Sequence, residues 1–458
     1  MNIAADGEFW VPNSPGVKVR GEFTAQAGEH PEATLAARVV DDPRVATSPM
    51  GGTTYMIGGA TSSVEAFLPI TIQGQLDSGD SVLLVNARNR GGPGFPFEAP
   101  RYQADYAILG DRNASGPDQL FSGMRFRFGD PYWLGRLQMG DVSTVDHDGS
   151  TLSVEAAEDG NWLLYKTATP ATLGRLEARV VMACLTLAEL ALDQDFAARD
   201  TQVRIDDGDP WLTVHGPGAN TPPKEFEYAT LLPRDELTVE RFAKWIPLND
   251  TLDGLARVVA RPIEGFLQTQ VLVITSLLEG LHRRLPFAQS KFSTAANKAV
   301  DRIKQAARRE AKDQASREKN LPPDEVHKAV NDALGHFDDV DYFERASDVV
   351  KKVRAVLPEI AESIGTDDLA KHIKDARIEM AHQTPLDHEE EPLEVRYLRW
   401  MVVANATPWL LRGLLLLEVG IEPGPLHFGH MGYSRFLYSV ANVNQFVREL
   451  GWKRPPAG

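Results

Sequence analysis

Near Thr238 a helical period takes over in this chain and persists, and that change limits what it can fold into. Before it, short apolar runs alternate with polar residues: "VKVRGEFTAQ", "ATLAARVV", "FLPITIQGQL" and "SVLLVNARN". They are β-branched and are separated by turn clusters such as "DSGDS" and "NRGGPGFP", the pattern of short strands in a sandwich or barrel-like sheet. After it, apolar residues recur at helical spacing as far as Trp452, in segments such as "TLDGLARVVARPIEGFLQTQVLVITSLLEGLHRRL" and "DYFERASDVVKKVRAVLPEIAESI". A two-residue and a 3.6-residue period cannot serve one layer. The expected class is therefore α+β multidomain, a β-rich domain followed by an all-helical bundle.

Length agrees with this, since 458 residues exceed one compact core. The expected division is a β-rich domain over 1–165, a helix–strand extension of it over 166–235, and a helical domain over 236–458. The extension holds a helix at about Leu173 to Asp195 and a strand-like stretch, "TQVRIDDGDPWLTVHG". The apolar helices over 263–285 and 395–420 are expected to pack together as the spine of the bundle. The second, interrupted by Pro408 and Arg412, reads as a buried core helix rather than a membrane span.

Composition narrows the chemistry. A single cysteine, Cys184, excludes a disulfide framework and a cysteine-based zinc site. With an N-terminus lacking basic and apolar leader regions, it favours a cytoplasmic protein. The formal charge of −16 argues against a surface that is basic throughout, so contact with nucleic acid requires a local patch. Residues 283–319 supply one, including Arg283, Arg284, Arg302, Lys304, Arg308 and Arg309; a solvated helix carrying ion pairs is the other reading of the same run. No Walker loop, zincin motif, nucleophile elbow or dinucleotide fingerprint occurs. The cluster in "HQTPLDHEEE" has no metal-ligand spacing and reads as an acidic loop.

The segment "KDARIEMAH" carries Arg377 and His382 with four residues between them. Five helical positions amount to about 140° of rotation and about 7.5 Å of rise, so on one regular helix the two side chains are not stacked. Pro385 disfavours helix continuation through Thr384, which puts the histidine in or beyond the last turn. There an imidazole can move a proton near neutral pH and a guanidinium can hold a phosphate. A surface ion pair or a helix-end histidine has the same spacing.

The chain resembles ApeA-like anti-phage proteins along much of its length. "GEFWVPNSPGVKVRGEFTAQ" and "ITIQGQLDSGDSVLLVNA" are similar to their N-terminal β domain. "QVLVITSLLEGLHRRL" resembles the glutamate-bearing first core helix of their HEPN domain, "KDARIEMAH" the R-x(4–6)-H signature, and "LRGLLLLEVGI" the final apolar helix. The position after the motif arginine, usually Asn, Asp or His in that family, is Ile378 here.

The resemblance implies a HEPN endoribonuclease of abortive infection that needs no metal or other cofactor, with Arg377 and His382 catalytic. Its expected substrate is RNA, transfer RNA among the candidates, cut by a homodimer in which two motifs face one another. Glu279 and His282, one turn apart on the earlier helix, are expected to support Arg377, with a Glu279 ion pair to Arg283 or Arg284 as the alternative for that residue. The β domain is expected to sense a phage-derived trigger or to restrain the nuclease. A catalytically inactive HEPN scaffold that binds RNA or a protein partner is the alternative, with Ile378 as its sign. A ligand-binding β module on a helical stalk is a third reading.

Overall fold

The structure, a computed structural model, describes residues 2–39, 45–47, 53–55, 68–90, 99–128, 137, 141–145, 147–158, 160–219, 229–292, 297–318, 322–382 and 392–452. It forms two compact units, 1–250 and 251–458: an N-terminal sheet domain and a helical C-terminal region, the α+β arrangement expected from the change of period.

The first unit contains β1 (Ile3–Trp10), β2 (Val19–Ala25), β3 (Glu32–Leu35), β4 (Val45–Thr47), β5 (Thr53–Tyr55), β6 (Ile70–Leu76), β7 (Ser81–Asn89), β8 (Arg101–Gln103), β9 (Tyr106–Gly110), β10 (Leu120–Phe128), β11 (Val142–Thr144), β12 (Thr151–Ala157) and β13 (Gly160–Thr172). A helix α1 over 173–192 follows, then β14 (Ala198–Arg204), β15 (Leu212–His215) and helix α2 (Val239–Leu252). Strands β4 and β5 pair with each other, and the other thirteen form one antiparallel sheet in the order β11-β12-β13-β10-β14-β15-β9-β7-β6-β1-β2-β3-β8.

Strand β8 also pairs with β7, through Arg88↔Gln103 and Asn89↔Tyr102, so β7-β6-β1-β2-β3-β8 close into a six-stranded barrel. Phe9, Phe23, Leu35, Ile72, Val82, Leu84 and Tyr102 fill its interior. Gly74 is required there, because a Cβ on it would stand 2.7 Å from the Phe9 ring. Strand β7 belongs to two layers at once, and its unbroken "SVLLV" is buried at every position. Val82 and Leu84 face the barrel, and the alternate positions Leu83 and Val85 face the other way. At Asn86 (φ 55°) an extra residue enters the ladder between Ile70↔Ala87 and Ile72↔Leu84. This bulge moves the inward set to Ala87 and separates the stretch of β7 paired with β9 from the stretch paired with β8.

The other half of the sheet buries Met124, Phe126, Phe128 and Trp162. Helix α1 includes a π turn over Glu177–Val181 and is buried at every residue from Ala183 to Leu192, as expected of a helix apolar on all sides. Helix α2 joins this core: the Trp245 indole N–H donates to the Ala183 carbonyl at 2.9 Å, and Phe242 packs on Phe128 at 5.8 Å. The two units accordingly divide at 250/251, whereas the sequence reading drew its line at 235/236. Arginines and tryptophans alternate on the sheet, with Arg127 over Trp162 (4.0 Å), Arg125 over both Trp162 (4.5 Å) and Trp211 (4.7 Å), and Arg204 over Trp211 (4.9 Å). Glu155, Asp200 and Asp207 pair with these cations, which makes the ladder a compensated structural one.

The second unit contains α3 (Leu255–Ala260), α4 (Leu267–Arg284), α5 (Asn297–Arg317), α6 (Pro323–Gly335), α7 (Tyr342–Arg354), α8 (Thr366–His382), α9 (Leu393–Val419), α10 (Pro423–Gly432) and α11 (Ser434–Glu449). Helices α4, α7, α8 and α9 pack on one another as a four-helix core. Their inward faces carry Ile274, Leu278 and Leu281; Val349, Val350 and Val353; Leu369 and Ile373; and Leu410 and Leu414, all at three- and four-residue spacing. Helix α9 is long and apolar enough to cross a membrane, but most of it is buried among the other helices of this unit. Helices α10 and α11 cover it, and α5 and α6 pack chiefly on each other as a hairpin.

Candidate active site at the end of helix α8

Helix α8 starts with Asp367 and Asp368 in its first turn, where carboxylates suit the helix dipole, and its last residue is His382. Residues 383–391, which are Pro385 and the rest of the acidic "HQTPLDHEEE" run after His382, and the side chain of His382 lie outside the described residues. The backbone thus puts the candidate histidine at the helix terminus, with Arg377 one and a half turns before it.

Arg377 is held on two sides. Its Nη2 donates to Glu279 Oε2 of α4 in a close ion pair. Its guanidinium lies over the Tyr342 ring of α7, 5.0 Å from the centroid. The side chain retains 28% of its exposure, so the group is fixed yet open to solvent. Glu279 is shared: its Oε1 accepts from Arg283 Nη2 at 2.9 Å and from Nε at 3.2 Å. Burial pushes the Glu279 carboxyl up, but the Arg283 hydrogen bond and the charges of Arg377 and Arg283 outweigh it and leave it below the usual range. Glu279 therefore stays ionised and keeps Arg377 in place.

His282 faces other neighbours. Its fully buried ring is held between Asp348 (Nε2 to Oδ2, 3.1 Å) and Arg345 (Nη1 to Nδ1, 3.1 Å), and stacks on Phe287 at 4.5 Å. A guanidinium only donates, so Nδ1 accepts and Nε2–H donates to Asp348. Burial is the main cause that lowers this histidine below its ordinary value, and Arg345 adds to it against the opposing pull of Asp348. The structure therefore joins Glu279 to Arg377 and leaves the buried His282 in a separate network with the buried Arg345 and the more open Asp348 and Gln289.

The basic residues are also dispersed. Arg283 pairs with Glu279, Arg284 with Asp253 at 3.7 Å, and Lys304 with Asp338. Arg302 and Arg309 are exposed on α5 and Arg308 is half-buried. Among the described residues no group of three metal-ligating side chains could hold an ion. Sequence reasoning missed Tyr342, whose only signal is its place directly after the N-cap Asp341, within the Asp341–Glu344 capping box. It also missed Glu379, which faces away from Arg377 and accepts at 2.7 Å from both Arg399 Nη2 and Trp400 Nε1.

Two further histidines of this unit are held neutral. Burial lowers His372, stacked on Trp452 at 3.7 Å, and His430, whose Nδ1–H donates to the Leu426 carbonyl at 2.7 Å, from 6.5 to about 4. The unfolded chain then binds more protons than the folded one between those values, so stability is full above pH 6.5 and is lost as pH falls towards 4. Each contributes on the order of 2–3 kcal/mol of this loss. Chemical denaturation at pH 7 and pH 4.5 should show the helical unit markedly weakened at the lower pH, and His372→Phe should reduce the difference.

A barrel-bearing sheet domain followed by a helical bundle with a clamped arginine defines a two-unit α+β protein with a candidate anion site. Residues 5–169, about a third of the chain, match the family model of ApeA N-terminal domain 1. On this ground residues 5–169 are similar to the N-terminal domain of ApeA, which supports an ApeA-like reading for that part of the chain. The match ends before the helical unit. No curated protein and no solved structure matches the chain significantly.

Proposed function

We propose that this protein is an anti-phage effector whose helical unit is a HEPN-type endoribonuclease with Arg377 and His382 as its catalytic pair. The observation that carries the reading is the clamped arginine. A half-open guanidinium, fixed by an ionised carboxylate and an aromatic ring, stands five residues before a helix-terminal histidine. In the reaction, the ribose 2′-oxygen attacks the adjacent phosphorus as the bond to the 5′-oxygen breaks. One His382 takes the 2′-OH proton, and the His382 of a second copy gives a proton to the departing 5′-oxygen. Arg377 stabilises the charge that grows on the non-bridging oxygens. The products are a 2′,3′-cyclic phosphate and a 5′-hydroxyl. Two copies answer the geometric difficulty of the motif, because groups about 140° apart on one helix need not meet each other.

RNA, with transfer RNA as the first candidate, would approach over α5, where Lys298, Arg302, Arg309, Lys312 and Arg317 are exposed. The β domain would sense a phage-derived trigger or restrain the bundle. Purified protein incubated with transfer RNA and with DNA in EDTA is expected to cut only the RNA, leaving cyclic-phosphate ends. Cleavage that requires an added divalent ion, or equal cleavage of DNA, would defeat the proposal. A second reading, an inactive scaffold that binds RNA or protein, is favoured by Ile378, an apolar residue where the family carries a polar one. RNA that binds but stays whole in the presence of trigger supports that reading.

A further inference from the structure

We propose that Tyr342 is a positioning residue for Arg377, acting as a rigid floor that keeps the guanidinium where it meets phosphate. The functional part of this inference rests on the nuclease reading; the structural part stands on the clamp alone.

The ring is fixed at both ends. At its backbone end, Tyr342 opens α7 within a complete capping box: Asp341 Oδ1 accepts from Glu344 N at 3.0 Å, and Glu344 Oε2 from Asp341 N at 2.9 Å. Lys291 ties both carboxylates, at 3.1 and 3.3 Å. At its far end, the Tyr342 hydroxyl donates to the Thr275 carbonyl of α4 at 2.8 Å. Burial pushes the phenol up, so it stays neutral and keeps donating. Thr275 and Glu279 stand one turn apart on α4. The floor and the wall of the clamp are therefore mounted on the same helix face, while α8 supplies only the arginine. A ring face attracts a guanidinium by its quadrupole without using any of its N–H donors. The donors that Glu279 leaves free can then turn to a phosphate. A second carboxylate in place of the ring would have consumed them.

The floor needs an aromatic face rather than a hydroxyl. With full-length protein, Tyr342→Phe should keep kcat within about twofold of wild type, while Tyr342→Leu should lower it about five- to tenfold at a nearly constant KM, the size of a partly exposed cation–π contact. A Phe variant as slow as the Leu variant overturns the inference, and so does a Leu variant with wild-type kcat. A second measurement requires no turnover. In wild-type and Tyr342→Phe protein, the Arg377 side-chain protons, assigned by their loss in Arg377→Lys, should be shifted upfield in the NMR spectrum by the ring. In Tyr342→Leu they should return to ordinary values. Arg377 signals that ignore the ring overturn the inference whether or not RNA is cut. Wild-type protein that leaves RNA intact but shows the ring shift overturns the nuclease reading and leaves the positioning intact.

Discussion

Arg377→Ala and His382→Ala are each expected to lower the rate of RNA cleavage by about two to four orders of magnitude. In the proposed mechanism, the arginine variant would lose the cation that faces the charged phosphorane, and the histidine variant the group that moves the proton. Because the two act on one transition state, the double variant should be hardly slower than either single one. Neither change should cost much stability. Arg377 is partly open to solvent, and its carboxylate partner keeps Arg283, so no buried charge is stranded. Initial rates on labelled RNA, with thermal melts as the folding control, read both effects. Alanine variants that cleave at the wild-type rate would remove the pair from the mechanism.

Glu379→Ala is expected to destabilise the helical unit by about 3–5 kcal/mol, although it lies only two residues from Arg377. Glu379 and Arg399 are among the most enclosed charges in the bundle, with side chains 5% and 7% exposed, and the carboxylate also accepts from Trp400. Alanine removes the carboxylate that both the Arg399 guanidinium and the Trp400 indole N–H donate to, deep in the bundle. The melting temperature of the unit should fall by roughly 10 °C. Replacing both members, Glu379→Met with Arg399→Met, should cost less than the single change, because no charge then remains buried. A single variant that melts within a degree of wild type would show that the pair contributes little.

Much of this architecture could be read in the residues, and the gaps have physical causes. The change of period near Thr238 marks where strands give way to helices. It does not say which core a helix joins, and "LTVERFAKWI" lies with the sheet because Phe242 and Trp245 find their partners there. Closure of the barrel depends on β8, three residues whose partners are about 70 and about 15 positions away; so short a strand has no period of its own. At the site, the spacing of Arg377 and His382 and the placing of Glu279 were legible because both are local or helical patterns. His282 was grouped with Glu279 as a neighbour on one face. Helix α4 touches both α7 and α8, and positions three apart differ by about 60° around the axis, so one side chain reaches α8 and the other α7. Tyr342 was not legible, since nothing local distinguishes a ring beneath a guanidinium from any other half-buried aromatic.

The ring formed by β7, β6, β1, β2, β3 and β8 has a consequence for life at high concentration. A linear sheet offers two open flanks to which another copy can add a strand. Here one flank is spent on closing the loop, and the described strands leave β11, three residues long, and the end of β12 beyond it at the other. Closing the loop thus removes one of the two places at which a crowding copy could stitch its backbone onto this sheet.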